Sequence, residues 1–312
     1  MQLTRKYRII LHRYELDGRY WYGGKITGMI LIGILIAAAI IIGLLGLSVY
    51  MLRPETGKTR SFAAFDHTMI AHRGLFDNHS DAPENSLAAF RNAVEHGFGM
   101  ELDVQLTKDK KLVVFHDFDL KRMCGVHKKL TELTYAELEQ YSLKNSAEKI
   151  PLFSDVLELI NGKVPLVVEI KVGFDYKATT EAAAAMLSQY KGIYCMECFN
   201  PLALVWYRKH YPKVLRGQLS MDFFQSEDKM PHIVRFFLTN LLLNFWAKPD
   251  FISYNHKDRQ IRGFRMCRKL FGVKTAAWTI KSEAELEAAR GVFDMFIFDS
   301  FLPEEGERVR LS

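Results

Sequence analysis

Between Ile26 and Leu52 the chain carries no charged residue, and Met29–Leu47 is almost wholly Ile, Leu, Ala and Gly. About 20 apolar residues suffice for a helix to cross the hydrocarbon core of a bilayer. Trp21, Tyr22 and Tyr50 flank the run, as interfacial aromatics do. A cleaved signal peptide would show an apolar stretch of about 7–15 residues followed by a small-residue cleavage site. This run is longer and ends in Tyr50-Met51-Leu52-Arg53. The pattern therefore predicts an uncleaved transmembrane helix over 26–52, with a basic segment, 1–25, before it and a polar linker, 53–67, after it.

Over residues 68–312 short β-rich runs alternate with amphipathic helical stretches, which predicts repeated βα units and a parallel sheet. The strand candidates are Met69–Ala71, Met100–Gln105, Leu112–Phe115, Leu166–Ile170, Ile193–Cys198, Val214–Leu219, Phe251–Tyr254, Lys274–Thr279 and Asp294–Phe298. That is one more than a closed eight-stranded barrel uses, so one of them, Val214–Leu219 or Phe251–Tyr254, is expected either not to be a strand or to fall outside it. Asn85-Ser86 opens a helix that Gly97 stops, while Thr134 with Glu137 and Ser282 with Glu285 have capping-box spacing. Two segments break the rhythm. Residues 119–150 read as a small helical insertion near the barrel mouth. Residues 230–246 are strongly apolar and read either as a helix covering the barrel or as one lying in a membrane interface.

The net charge of +6 and pI near 9.0 would suit a nucleic-acid binder only if the excess lay on the folded domain. It does not. Residues 1–60 hold nine Lys/Arg against Glu15, Asp17 and Glu55, which accounts for the whole excess. No nucleic-acid partner is expected. Six basic residues precede the apolar run and three closely follow it, which predicts a cytoplasmic N-terminus and an extracytoplasmic domain. The cysteines Cys124, Cys195, Cys198 and Cys267 lack the spacing of a disulfide framework and read as small buried residues.

The chemistry lies at the strand ends. Residues i and i+2 of a strand share a face, so Glu101-x-Asp103 sets two carboxylates side by side and Glu169-x-Lys171 pairs an acid with an amine. A Glu169–Lys171 ion pair alone would leave Glu101 and Asp103 to be offset. A hard divalent cation, Mg²⁺ or Ca²⁺, does so with oxygen ligands. His72 and His116 each follow a short apolar run, beside Arg73 and Asp117. Imidazole near neutral pH suits acid/base work on a leaving alkoxide, and Arg73 and Lys171 supply charge to hold a phosphate.

His72-Arg73-Gly74, Pro83-Glu84-Asn85-Ser86, Glu101-Leu102-Asp103-Val104-Gln105-Leu106-Thr107-Lys108-Asp109, Val114-Phe115-His116-Asp117 and Glu169-Ile170-Lys171 resemble, in this order, the motif series of the glycerophosphodiester phosphodiesterase family. The resemblance runs from about Met69 through Trp278-Thr279 to the Asp294–Asp299 strand. It implies an α/β fold, a (β/α)8 TIM barrel of the phosphatidylinositol-phospholipase C type, preceded here by one N-terminal transmembrane helix. It also implies roles. Glu101, Asp103 and Glu169 match the family's metal ligands, His72 and His116 its acid/base pair, and Arg73 and Lys171 its phosphate contacts. Glu84 and Asn85 match a supporting motif, and Phe199 and Trp278 match aromatic positions of the pocket wall. Ser86, Cys198 and Lys281 stand where Thr, Ser and Asn are usual, departures that bear on the alcohol side of the substrate.

The expected activity is metal-dependent hydrolysis of a glycerophosphodiester to glycerol 3-phosphate and an alcohol, in a single-pass protein of the cell membrane. A lysophospholipase D-like or phospholipase C-like action on a membrane lipid or an envelope glycerophosphate polymer is the alternative, favoured by the apolar run and the 230–246 segment. A catalytically dead membrane-bound binding protein is the third reading, set against the complete acid, histidine and cation set.

Overall fold

The computed structural model describes residues 29–55, 61–172, 175–227 and 229–303. The basic segment 1–25, with Trp21 and Tyr22, lies outside them, as does part of the 53–67 linker. The described residues divide into two units, one ending at Tyr50 and one beginning at Met51. The first is built on α1 (Met29–Met51), with mean hydropathy 3.0, long and apolar enough to cross a membrane. It has no polar face, so water is a poor solvent for it on every side.

In the second unit nine strands form one sheet: β1 (Thr68–Ala71), β2 (Gly99–Leu106), β3 (Leu112–Val114), β4 (Leu166–Ile170), β5 (Tyr194–Cys198), β6 (Leu215–Ser220), β7 (Phe251–Asn255), β8 (Lys274–Ile280) and β9 (Met295–Phe298). Eight of them are parallel, in the order β1-β9-β8-β7-β6-β5-β4-β2. Pairing of Ile70 with Gly99 and Ala71 with Met100 closes the ring. The outer layer is α2 (Leu87–Glu95), α5 (Phe153–Ile160), α6 (Tyr176–Leu187), α7 (Pro201–His210), α8 (His232–Thr239) with α9 (Asn244–Ala247), α10 (Arg262–Phe271) and α11 (Glu283–Arg290). This is a TIM barrel.

The surplus strand is not one of the two expected. Both β6 and β7 belong to the ring, and β3 stands outside it, antiparallel to β2 with Val104 opposite Val114. The reason is connection length. A tight turn at Thr107–Lys111, closed by Thr107 N–H to the Lys111 carbonyl at 2.9 Å, joins β2 to β3. A parallel return needs a crossover of a dozen or more residues.

After β3 the chain builds α3 (Lys121–Cys124), a short 3₁₀ turn and α4 (Tyr135–Leu138) around a separate apolar cluster that includes Phe115, Leu120, Met123 and Leu138. Thr134 and Glu137 close a capping box on α4. Ser86 caps α2 through the Ala89 N–H, and Ser282 caps α11 through the Glu285 N–H. Cys195 and Cys198, three apart on β5, fall on opposite faces and join different apolar clusters. Among the described residues all four cysteines are free thiols.

Inside the barrel the floor is apolar: Ile70, Val167, Cys195, Leu215, Phe251, Ala276 and Met295, sealed below by Phe62 and Phe65. Between barrel and helices the outward residues Met100, Leu102, Val104, Val168, Ile170 and Ile252 join the larger core. The polar inward positions gather at the other end, where the strands finish.

Candidate active site

Several functional side chains continue the inward row of a barrel strand. Two residues beyond Ile70 is His72, and two beyond Val167 are Glu169 and then Lys171. The same step leads from Cys195 to Glu197 and Phe199, and from Ala276 to Trp278. With Arg73, Glu101, His116, Leu219, Met221, Thr279 and Ile297 they line one cavity of about 230 Å³. Every active TIM-barrel site sits at this end, where strands deliver side chains into loops.

Glu101, Asp103 and Glu169 are buried, and one carboxylate oxygen from each lies within 4.8 Å of the others. Glu197 adds a fourth buried carboxylate, whose Oε2 accepts no hydrogen bond among the described residues. Burial, then the charges of Asp103 and Glu169, raises Glu101 well above the usual carboxylate range. Burial and the neighbouring Glu169 push Glu197 up to about 8. Burial also raises Glu169, although Lys171 Nζ lies 2.7 Å from its Oε1. Asp103 is the exception. Burial opposes its charge, but Lys171, His116 and Arg73 and a hydrogen bond from Asn85 Nδ2 at 2.9 Å hold it well below the carboxylate range.

The two histidines are built alike. His72 Nδ1 lies 2.8 Å from Asp299 Oδ2, and His116 Nδ1 lies 2.7 Å from Asp117 Oδ1. A carboxylate at Nδ1 fixes the proton there and leaves Nε2 as the working nitrogen of each ring. His72 Nε2 stands 4.0 Å from Glu101 Oε2. Burial and Arg73 lower the His72 pKa to about 4, against the opposing pull of Asp299.

Arg73 takes a left-handed backbone (φ 56°) that turns its side chain across the mouth. Its N–H donates to Glu101 Oε2 at 3.2 Å and its Nη1 to Glu84 Oε1 at 2.6 Å. Arg122 of α3 completes the rim, donating to both Glu84 oxygens at 2.7 Å and through Nε to Asp117 Oδ2 at 2.7 Å. Glu84, also bound by Asn78, is fully taken up by these donors, which outweigh its burial and hold it at about 2. Glu84 thus positions two arginines, and Asn85 positions Asp103. Phe199 and Trp278 meet edge-on, with ring centres 5.7 Å apart, as one aromatic wall.

All the residues singled out in the sequence converge here. Four that were not are Glu197, Asp299, Asp117 in its contact with the His116 ring, and Arg122. Glu197 had a signal, the i+2 step from Cys195 to Phe199. Asp299 closes the last strand's motif. Arg122 lies on a four-residue helix with nothing in its neighbourhood to mark it.

The profile of the glycerophosphoryl diester phosphodiesterase family matches residues 72–299, from the first histidine to its aspartate. The chain belongs to this family. A glycerophosphodiester phosphodiesterase of Bacillus altitudinis is 31% identical over 172 residues, 51% of this chain and 69% of that protein. A lysophospholipase D of Rattus norvegicus is 34% identical over 135 residues, 39% of this chain and 41% of that one. Among solved structures, a phosphodiesterase of Oleispira antarctica in complex with the product sn-glycerol-3-phosphate superposes with TM-score 0.62 at 24% identity. The match covers 77% of this chain and 95% of that one.

Proposed function

We propose that this phosphodiesterase hydrolyses glycerophosphodiesters to glycerol 3-phosphate and an alcohol, with His72 and His116 as the acid/base pair. The observation that carries the reading is two aspartate-oriented histidines on one small cavity whose wall includes Glu101 and Glu169 of a three-carboxylate cluster. The family's members and the product found in the Oleispira enzyme support the same substrate class.

The donor set fits a divalent cation. Glu101, Asp103 and Glu169 offer hard oxygens within one ion's reach, and four buried carboxylates face two nearby cations, Arg73 and Lys171. That imbalance of two charges is what Mg²⁺ or Ca²⁺ would supply. Bound there, the cation would stabilise negative charge on a phosphoryl oxygen. Arg73 and Lys171 would hold the phosphate, and Phe199 and Trp278 would pack the glycerol carbons. One histidine takes a proton at Nε2 from water, or from the glycerol 2-hydroxyl in a route through a cyclic phosphate. The other gives its Nε2 proton to the departing oxygen.

Glycerol 3-phosphate release from a panel of phosphodiesters, assayed with Mg²⁺, Ca²⁺ or chelator, tests this. Turnover that needs an added cation is expected. Silence across the panel with both ions would sink it and favour a binding protein. A lysophospholipase D-like or phospholipase C-like action on a membrane lipid is the second reading, favoured by α1 and by the exposed apolar side chains of α8. The same helix supports a single-pass anchor, and the basic residues that precede it in the sequence favour the N-terminus inside and the barrel outside, which protease accessibility in intact cells would check.

A further inference from the structure

A helix on a barrel's outer layer normally buries an apolar stripe. In α8, whose sequence is His-Ile-Val-Arg-Phe-Phe-Leu-Thr, Thr239 alone is buried, while Ile233, Val234 and Phe236 are 63%, 40% and 47% exposed. Phe224, 46% exposed and stacked on His232, extends this face. The helix is not loosely attached. Ser220 at the end of β6 donates to the Leu238 carbonyl at 2.8 Å, and the Tyr254 hydroxyl of β7 donates to the Thr239 carbonyl at 2.7 Å. It is pinned to the mouth of the barrel, beside Met221 of the cavity wall.

Its neighbour is α10, where Gly263 lies so close to Asn240, the residue ending α8, that a Cβ there would strike the Asn240 backbone. Arg262, Arg265 and Lys269 of α10 are exposed, Leu270 is 54% exposed, and the helix holds no acid. Leu52, the first residue after α1, is buried nearby, its carbonyl accepting from Asn244 Nδ2 at 3.4 Å and Cys267 Sγ at 3.5 Å.

We propose that α8 and α10 form a docking face for an anionic bilayer surface. The apolar side chains of α8 would enter the acyl boundary while the basic residues of α10 meet lipid headgroups, so that the mouth receives membrane-resident substrates. Exposed apolar side chains beside a one-signed basic row are the chemistry of interfacial helices. In the chain Leu52 directly follows α1. The proposal rests on α1 being a membrane span.

The full chain, reconstituted in vesicles of phosphatidylcholine with phosphatidylglycerol, carries the test. A nitroxide at Ile233→Cys, in a Cys124→Ser background, should relax with oxygen and resist a water-soluble nickel chelate, while one at Glu158→Cys on α5 meets the chelate. Release of the chain by carbonate would remove the anchor and this proposal with it. A retained chain whose two labels meet the chelate equally would overturn the docking face alone. Arg265→Glu with Lys269→Glu should raise chelate access at position 233. Phe236→Asp should lower turnover of bilayer-presented lysolipid about tenfold or more and leave soluble glycerophosphocholine unchanged. An equal loss on both substrates would also overturn the docking face.

Discussion

At the floor of the barrel the inward residues are Ile70, Val167, Cys195 and Ala276, and two residues further along the same strands they are His72, Glu169, Glu197 and Trp278. One pleat separates a dry apolar plug from a charged cavity. Below, each side chain gains from leaving water, at roughly 25 cal/mol per Å². Above, Glu101 and Glu197 are raised because burial costs them their charge. The floor stabilises the ring, and the mouth draws on that stability to hold groups that water would hold better. The division predicts which substitutions touch turnover and which touch folding.

The largest expected effect is on turnover alone. His72→Ala or Glu101→Ala should cut kcat by about 10³-fold or more, since in the proposed roles His72 moves a proton and Glu101 holds the cation. Thermal unfolding should stay near wild type. A variant with near-normal rates would break the assignment of the mouth. The converse is Phe251→Ala at the floor, where the ring is wholly buried, against Phe62 at 5.5 Å between ring centres. Denaturant unfolding should show a loss of about 3–5 kcal/mol, with kcat of the folded fraction unchanged. A loss of kcat as large as that of the mouth variants would erase the distinction.

Within the mouth the two histidine–aspartate pairs differ in enclosure. The Asp299 side chain is 8% exposed and Asp117 20%, and Asp117 is shared with Arg122. Asp299→Asn should therefore cost more, about 10–100-fold in kcat, than Asp117→Asn, where the more exposed His116 ring can hydrogen-bond to water instead. Steady-state rates with equal cation content decide the order. The reverse ranking would show that enclosure does not set the worth of the pair.

The same contrast explains what the chain's pattern revealed. The barrel's rhythm was legible because buried parallel strands are short apolar runs, and the acids at Glu101, Asp103 and Glu169 stood out against them. Strand direction was not legible in the pattern itself. Leu112–Val114 looks like any barrel strand, and only the five-residue turn before it marks it as antiparallel. The family resemblance, not periodicity, supplied closure into a ring. Asp299 and Arg122 act across the fold, 227 and 38 positions from His72 and Glu84, and local spacing cannot express such contacts.

Glu197 gives the smallest and most discriminating test. It belongs to the mouth by position, yet burial beside Glu169 pushes it up to about 8, so its charge is a liability to the fold. An acid whose folded pKa exceeds its unfolded value near 4.3 favours the protonated chain. Little is lost below that unfolded value, where both states carry the proton. As pH rises towards 8 the unfolded chain gives up its proton while the folded one keeps it, and stability falls. Glu197→Gln removes the titration. In chelator, its Tm should match wild type near pH 4.5 and rise above it increasingly towards pH 8. A bound divalent cation lowers the folded pKa, so added Mg²⁺ or Ca²⁺ should shrink that gap. A constant gap across pH, or none at all, would mean that Glu197 carries its charge in the fold, and the mouth would then be better compensated than its two nearby cations imply.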